Sequence, residues 1–287
     1  MFKKFITVAS SLALSAMCLT GCNQTTTDKE AKKTLDKVTI AEVTHSVFYA
    51  PQYAAVTKGF FEEEGIEVDI INTSGADKTM AALISGEAQV GLMGPEASIY
   101  VYNQGNENYA VNFAQLTKTD GSFIVAREEM PNFTLEDLKG KDILGGRKGG
   151  VPLMTLEYVL KKNGLTIGTN KEAGEVNVRT DVQFGVMAGA FAGGEGDFTT
   201  VFEPTGTQME EEGTGYIVAS VGELSREVAG DVPYTAYSTT KEFMADNEDL
   251  IQRFTNALYK GQQWCKTASS EEIAQAMQPF FNDLSLN

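Results

Sequence analysis

From residue 38 onward, short runs of β-branched and aliphatic residues alternate with longer stretches in which apolar positions recur every three to four residues. The first pattern belongs to strands buried in a sheet, the second to amphipathic helices laid against it. In the first half of the chain this predicts strands at 38–43, 66–71, 89–93, 109–116 and 122–126, with helices at 51–64, 77–85 and 95–102 between them. Gly65 and Gly86 follow the first two helices, where a residue without Cβ accepts the left-handed turn that ends a helix. Pro95 opens the third, at a position whose missing N–H has no helical acceptor to lose.

The order then repeats. Strands are expected at 142–145, 175–179, 197–202, 216–220 and 234–238, and helices at 152–163, 182–192, 204–212, 241–245, 248–266 and 271–281. Helices intercalated between strands predict an α/β fold with mostly parallel sheets. Two such units in succession predict two lobes, with the chain crossing between them near 116–121 and 232–237. Lobe 1 then comprises 37–117 plus 235–287, and lobe 2 comprises 118–234. No short repeat of the solenoid kind interrupts this order.

Ahead of the alternating region the pattern changes. Lys3 and Lys4 precede an apolar run over 5–19, too short to span a bilayer, which takes about 20 apolar residues. A basic start and a short apolar stretch ending in small residues describe a secretory signal. The stretch closes in Leu19-Thr20-Gly21-Cys22, which resembles the lipobox of bacterial lipoproteins. That resemblance implies a signal peptide at 1–21, cleavage before Cys22 and acylation of its thiol, so that lipid tethers the chain to the outer face of the cell membrane. The plainer reading is a short core helix with an incidental cysteine. Residues 22–36 are almost free of apolar side chains and read as a flexible tether.

Charge and cysteine count narrow the picture further. Lys and Arg number 23 against 39 Asp and Glu, a formal net charge of −16. So acidic a chain lacks the basic surface that nucleic acid requires and is not drawn to anionic headgroups, which leaves the lipid to anchor it. Of the three cysteines, Cys18 falls in the signal and Cys22 at the lipid site, so Cys265 has no partner for a disulfide. It continues a helical stripe of Ile251, Phe254, Leu258 and Gly261 and reads as a packed core thiol.

Ligands of open α/β sheets collect at the carboxyl ends of strands and at helix N-termini. The loops at those places are 44–51, 72–77, 94–98, 115–117, 145–152 and 202–205. They carry hydroxyls, small residues, an aromatic ring and a few charges, as a cleft for a small polar molecule requires. Plainer readings stand beside this one. His45, the single histidine, reads equally as a satisfied structural ring, Tyr49 as core, the glycines of 145–150 as a turn, and Glu203 as a partner of a helix dipole. The chain has no G-K-[ST] phosphate loop, no GxGxxG turn, no GxSxG elbow and no cysteine–histidine zinc pattern, so no catalytic residue, metal or cofactor is assigned.

Four segments in order carry a family resemblance over nearly all of the chain from Val38. They are Tyr49-Ala50-Pro51-Gln52-Tyr53 running on through Lys58-Gly59-Phe60-Phe61 to Gly65, then Ser85-Gly86-Glu87-Ala88-Gln89-Val90-Gly91 to Gly94, Asp137-Leu138-Lys139-Gly140-Lys141 to Gly145, and Glu203-Pro204. The set resembles the solute receptors of the nitrate/sulfonate/taurine group, which includes receptors for the pyrimidine precursor of thiamine. The resemblance implies an α/β fold of the type II periplasmic-binding-protein kind: two Rossmann-like lobes, two hinge crossings and a ligand cleft between them. It also implies delivery to an ABC permease and its ATPase by a monomeric receptor. His45 and Tyr49 match the H-[ST]-x-x-Y segment of the pyrimidine receptors, where they would touch an aromatic ring, although Glu42-Val43-Thr44 stands where a tryptophan often precedes it. Sulfonate receptors hold an anion with hydroxyls, amides and an arginine, a role open here to Gly94, Ser98, Arg147 and Gly149. Relatives often continue beyond the helix at 271–281, so lobe 1 is expected to lack a final helix in a truncated or naturally short chain.

The expected contact set is His45, Tyr49, Gly75, Asp77, Pro95, Glu96, Thr117, Arg147, Gly149 and Glu203. The expected function is capture of a thiamine-related pyrimidine or an aliphatic sulfonate by hinge closure, without catalysis. The alternatives are an enzyme of pyrimidine or thiamine-precursor metabolism on the same fold, which export disfavours, and an inert surface lipoprotein.

Overall fold

The computed structural model describes residues 34–281. The segments expected to be a signal peptide, a lipid site at Cys22 and most of a tether, and the chain from 282, lie outside the described residues. The first half contains β1 (Asp36–Glu42), α1 (Ala50–Thr57), α2 (Phe60–Glu63), β2 (Ile66–Asn72), α3 (Ala76–Ser85), β3 (Val90–Met93), α4 (Glu96–Asn103), β4 (Ala110–Thr117) and β5 (Ser122–Ala126). Then come β6 (Asp142–Leu144), α5 (Val151–Lys162), β7 (Asn177–Arg179), α6 (Met187–Ala192), β8 (Phe198–Phe202), α7 (Thr205–Glu211) and β9 (Tyr216–Ser220). The chain closes with α8 (Val221–Ala229), β10 (Thr235–Thr240), α9 (Lys241–Asp246), α10 (Glu248–Cys265) and α11 (Ser270–Met277).

One sheet has the order β2-β1-β3-β10-β4 and the other β7-β6-β8-β5-β9. In each, a single strand runs against its neighbours: β10 is antiparallel to β3 and β4, and β5 to β8 and β9. These are the strands the chain enters on passing from one sheet to the other. The two connecting segments lie side by side, with the Val232 N–H donating to the Lys118 carbonyl at 2.9 Å and the Tyr234 N–H to that of Thr117 at 3.0 Å.

All of β10 is buried although most of its side chains are polar. Each finds a partner on a neighbouring element: the Thr235 and Thr117 hydroxyls meet at 2.7 Å, Ser238 donates to Asn112 Oδ1 at 2.6 Å, and Thr239 donates to the Gln89 carbonyl at 2.8 Å. A buried polar strand is stable only on those terms. One face of its sheet packs on α1 and α10, where Phe254 stands 5.0 Å from Phe61 and 5.8 Å from Tyr237 between ring centroids. Complete burial of such a ring contributes roughly 2–3 kcal/mol. The expected stripe Ile251, Phe254, Leu258 and Gly261 is the buried face of α10. Cys265 ends the helix half-buried, and burial raises its thiol pKa.

Three elements differ from expectation. The helix predicted at 51–64 is two helices, because Gly59 takes φ +76° and breaks the run between Thr57 and Phe60. The helix predicted at 182–192 starts with a 3-10 turn at Phe184–Val186 and becomes α-helical at Met187. The helix α8 was not foreseen, although Val221, Leu224, Ser225 and Val228 recur at helical spacing on its inward face; Ser220 caps it by accepting from the Glu223 amide.

Candidate functional site

A cavity of about 400 Å³ opens where the two sheets meet. The helices α3, α4 and α5 all begin at its wall, through Gly75 and Ala76, Gly94 and Glu96, and Gly150 and Val151. Three helix N-termini therefore face one space, a favourable setting for negative charge. Val43, Val182, Phe184 and Phe202 supply apolar wall, and Tyr49 and Tyr234 add two buried phenols. Ser74, which also lines the cavity, holds φ +57°, a left-handed conformation rare outside glycine. Its N–H donates to Asn72 Oδ1 at 3.0 Å, which helps hold the turn.

The cleft is bridged by contacts from one sheet's loops to the other's. Arg147 lies 3.6 Å from both Asp77 and Glu96, looser than a normal hydrogen bond. The Val151 N–H at the start of α5 donates to Glu96 Oε1 at 3.3 Å, and the Tyr100 hydroxyl donates to the Gly149 carbonyl at 2.9 Å. Glu96 is 7 % exposed, and its other oxygen, Oε2, is buried without a hydrogen bond. Burial holds its pKa above the usual carboxylate range, while the amides of Glu96, Val151 and Ala97 and the Arg147 charge work against that rise. Gly94 is required beside it, since a side chain there would collide with the Glu96 carboxylate.

A second buried carboxyl sits in the crossing. Asp120 accepts from the Ser122 N–H at 2.7 Å through Oδ1; burial pushes its pKa up to about 6, with the Ser122, Tyr234 and Thr155 hydroxyls working against that rise. Burial, then the Asp120 charge and the contact with its carboxyl, raise the Tyr234 phenol well above its ordinary value.

Of the expected contact residues, Tyr49, Gly75, Asp77, Glu96 and Arg147 line the main cavity. His45 and Glu203 instead line an adjoining recess of about 160 Å³. The His45 ring is bound through Nδ1 to Glu42, a fully buried carboxylate that also accepts from Gln52 at 2.7 Å and Tyr53 at 2.9 Å. The Glu42 hydrogen bond raises the His45 pKa, with burial opposing it and the Glu42 charge adding to it. Glu203 accepts from the Thr207 N–H at 3.0 Å and the Thr207 hydroxyl at 3.1 Å, the helix-capping role that was its plainer reading. Pro95, Thr117 and Gly149 are not in the cavity wall: Pro95 precedes α4, Thr117 pairs with Thr235, and Gly149 receives Tyr100.

The expected set omitted Phe184, Thr180 and Tyr234. Thr180 begins the loop after β7, the carboxyl end of a strand, and the same rule that selected the other loops selects it. Tyr234 precedes an antiparallel strand, so it is the start of β10, and not its end, that lies with the carboxyl ends of β3 and β4. Among the described residues, no group of three or more His, Cys, Asp or Glu is placed to hold a metal ion, and no helix is long and apolar enough to cross a membrane.

Two mixed sheets, two adjacent crossings and a cleft walled by helix N-termini define the periplasmic-binding-protein fold. The model of the NMT1/THI5-like family matches residues 47–271, and the chain belongs to that family. It is 46% identical over 252 residues, covering 88% of this chain and 73% of the relative, to a Bacillus subtilis (strain 168) protein named "Putative binding protein YtlA". The fold is shared with the aliphatic sulphonate binding protein SsuA of Escherichia coli, at TM-score 0.65 and 15% identity over 86% of this chain and 79% of that one. It is also shared with the nitrate-binding protein NrtA of Synechocystis PCC 6803, at TM-score 0.68 and 18% identity over 85% of this chain and 66% of that one. The resemblance read from the four segments therefore holds at the level of family and fold, and these relatives are binding proteins.

Proposed function

We propose that the protein is an extracytoplasmic solute receptor that closes its two lobes around a small organic molecule and presents it to an ABC importer. Acylated Cys22 would hold it at the outer membrane face, and the receptor would act as a monomer without turning its ligand over. The observation that carries this reading is the cavity itself, walled by both sheets and spanned by Arg147, Asp77 and Glu96. A molecule touching both walls binds the closed form better than the open one, and that difference in affinity drives closure.

Two ligand classes suit the wall. The apolar side chains and the phenols of Tyr49 and Tyr234 favour a flat heterocycle such as a thiamine-related pyrimidine. Arg147 and the three helix N-termini favour the acid group of a sulfonate. The purified protein should therefore be melted with aminopyrimidines, taurine, alkylsulfonates and nitrate. A ligand at about 100 times its Kd adds about 2.7 kcal/mol, a shift of several degrees for a chain of this size. Absence of any shift, together with no co-purified molecule by native mass spectrometry, would refute the receptor reading.

A further inference from the structure

Of the nine large apolar side chains exposed among the described residues, five lie on α4 and α5. On α4, Ile99 is 56 % exposed and Tyr102 is 61 % exposed, with Tyr100 beside them. Residues 97–106 carry no charge, in a chain of formal net charge −16. On α5, Met154 and Tyr158 stand one turn apart on the exposed face. Large apolar side chains left bare side by side mark a surface that another molecule covers. The two faces join across the cleft, where the Tyr100 hydroxyl donates to the Gly149 carbonyl at 2.9 Å and lies 3.8 Å from Met154 Sδ. On the other flank of α4 the Tyr102 ring meets Tyr109 edge-on, 5.1 Å between centroids. The result is one apolar band crossing both lobes. A lysine lies over the ring at each end, Lys241 at 5.4 Å from Tyr109 and Lys162 at 5.4 Å from Tyr158. The neighbouring carboxylates Glu157 and Glu242 are engaged by Lys161 at 2.9 Å and Asn108 at 3.0 Å, and neither end lysine forms an ion pair among the described residues.

We propose that this band is the surface by which the closed receptor docks on the membrane-embedded permease of its importer, whose outer loops meet it with apolar side chains at the centre and a carboxylate toward each end lysine. This rests on the receptor reading and adds the partner's contact surface to it. The seam at Tyr100 ties docking to closure. Opening the cleft parts Tyr100 from Gly149 and Met154 and leaves two shorter patches. A partner that needs the whole band therefore binds the closed form more tightly and, by linkage, holds it closed. Apolar side chains exclude water at the centre of such a contact, and the lysines at its ends steer the approach of negative charge. A second copy of this chain suits the band less well, because two bodies of net charge −16 repel each other, and anionic headgroups meet the same repulsion.

Site-specific photocrosslinking of the full chain in the cells that make it tests this. The photoreactive residue p-benzoylphenylalanine replaces Tyr102 or Tyr158, toward opposite ends of the band. In control chains it replaces exposed Glu211 on α7 or Gln252 on α10, helices that pack on the opposite faces of the two sheets. Linked peptides are identified by mass spectrometry. Both band positions are expected to link to one ABC permease subunit, at yields at least about fivefold above those from 211 and 252. Lys162→Glu combined with Lys241→Glu should cut both yields at least about fivefold, at an unchanged melting temperature. Permease links from 211 or 252 that match those from the band, or links from only one end of it, overturn the docking face and leave the receptor reading intact. Links from the band only to a second copy of the chain, or only to lipid, do the same. Undiminished links in the folded double variant also overturn the proposal, and if that variant does not fold the four single positions decide. No permease link from any of the four removes the receptor reading, and this inference with it.

Discussion

At the scale of single residues, the structure separates groups that hold the fold from groups that face the cleft. His45 and Glu203 were candidates because of the loops they occupy, yet both have committed partners, Glu42 and Thr207. Sequence gives the loop but not the direction in which a side chain is already engaged, so the plain and the ligand-facing readings of a histidine look alike until its neighbour is known. Asp120 carries a prediction of its own. Its folded pKa of about 6 lies above the ordinary 3.8, so the folded state binds the extra proton between those values. Its contribution is therefore most favourable at low pH and is lost as pH rises through about 6, a cost of roughly 3 kcal/mol at neutral pH. Asp120→Asn keeps the Ser122 hydrogen bond through Oδ1 and removes the charge. It should unfold at a higher temperature than the wild type at pH 7.5, by about half that margin at pH 5, and at nearly the same temperature at about pH 3.5, below both values, as circular dichroism would show. A lower melting temperature at pH 7.5 would mean that the charge is needed there.

At the scale of elements, length aided legibility without deciding it. The 18 residues of α10 hold enough turns for the buried stripe to stand out. The helix α7 was also expected, at 204–212, whereas the nine residues of α8 were missed, and the break at Gly59 turns on a single backbone angle that no period records. The polar strand β10 was placed correctly as a strand, but its central position follows from pairing with Asn112, Thr117 and Gln89, which sequence does not reveal. Gly261 was expected on the buried stripe of its helix, and the structure supplies the reason for a glycine there. A Cβ at that position would collide with the Pro51 carbonyl of α1. Gly261→Ala should thus lower stability by about 1–3 kcal/mol despite the better helix propensity of alanine, measurable by urea denaturation. A stabilised variant would show that the α1–α10 contact has slack.

At the scale of the whole molecule, the alternation of strands and helices was enough to give two α/β units, and four short segments were enough to give the family. Most of the loops that meet at the cavity were legible from the carboxyl-end rule, but the pairing that brings them together was not, because it is set by two antiparallel crossing strands whose partners on β4 and β8 lie 72 to 130 residues away in sequence. That geometry puts Arg147 of one unit against Asp77 and Glu96 of the other, and closure around a ligand is the central claim built on it. Spin labels at exposed positions 87 and 162, one on each unit, in a chain starting at residue 23 with Cys265 replaced by serine, would report it by double electron–electron resonance. Adding a compound that titration has already found to bind should shift the distance distribution toward a single, shorter population. An unchanged distribution with the same compound bound would contradict closure, and with it the claim that this cleft works as a receptor's trap.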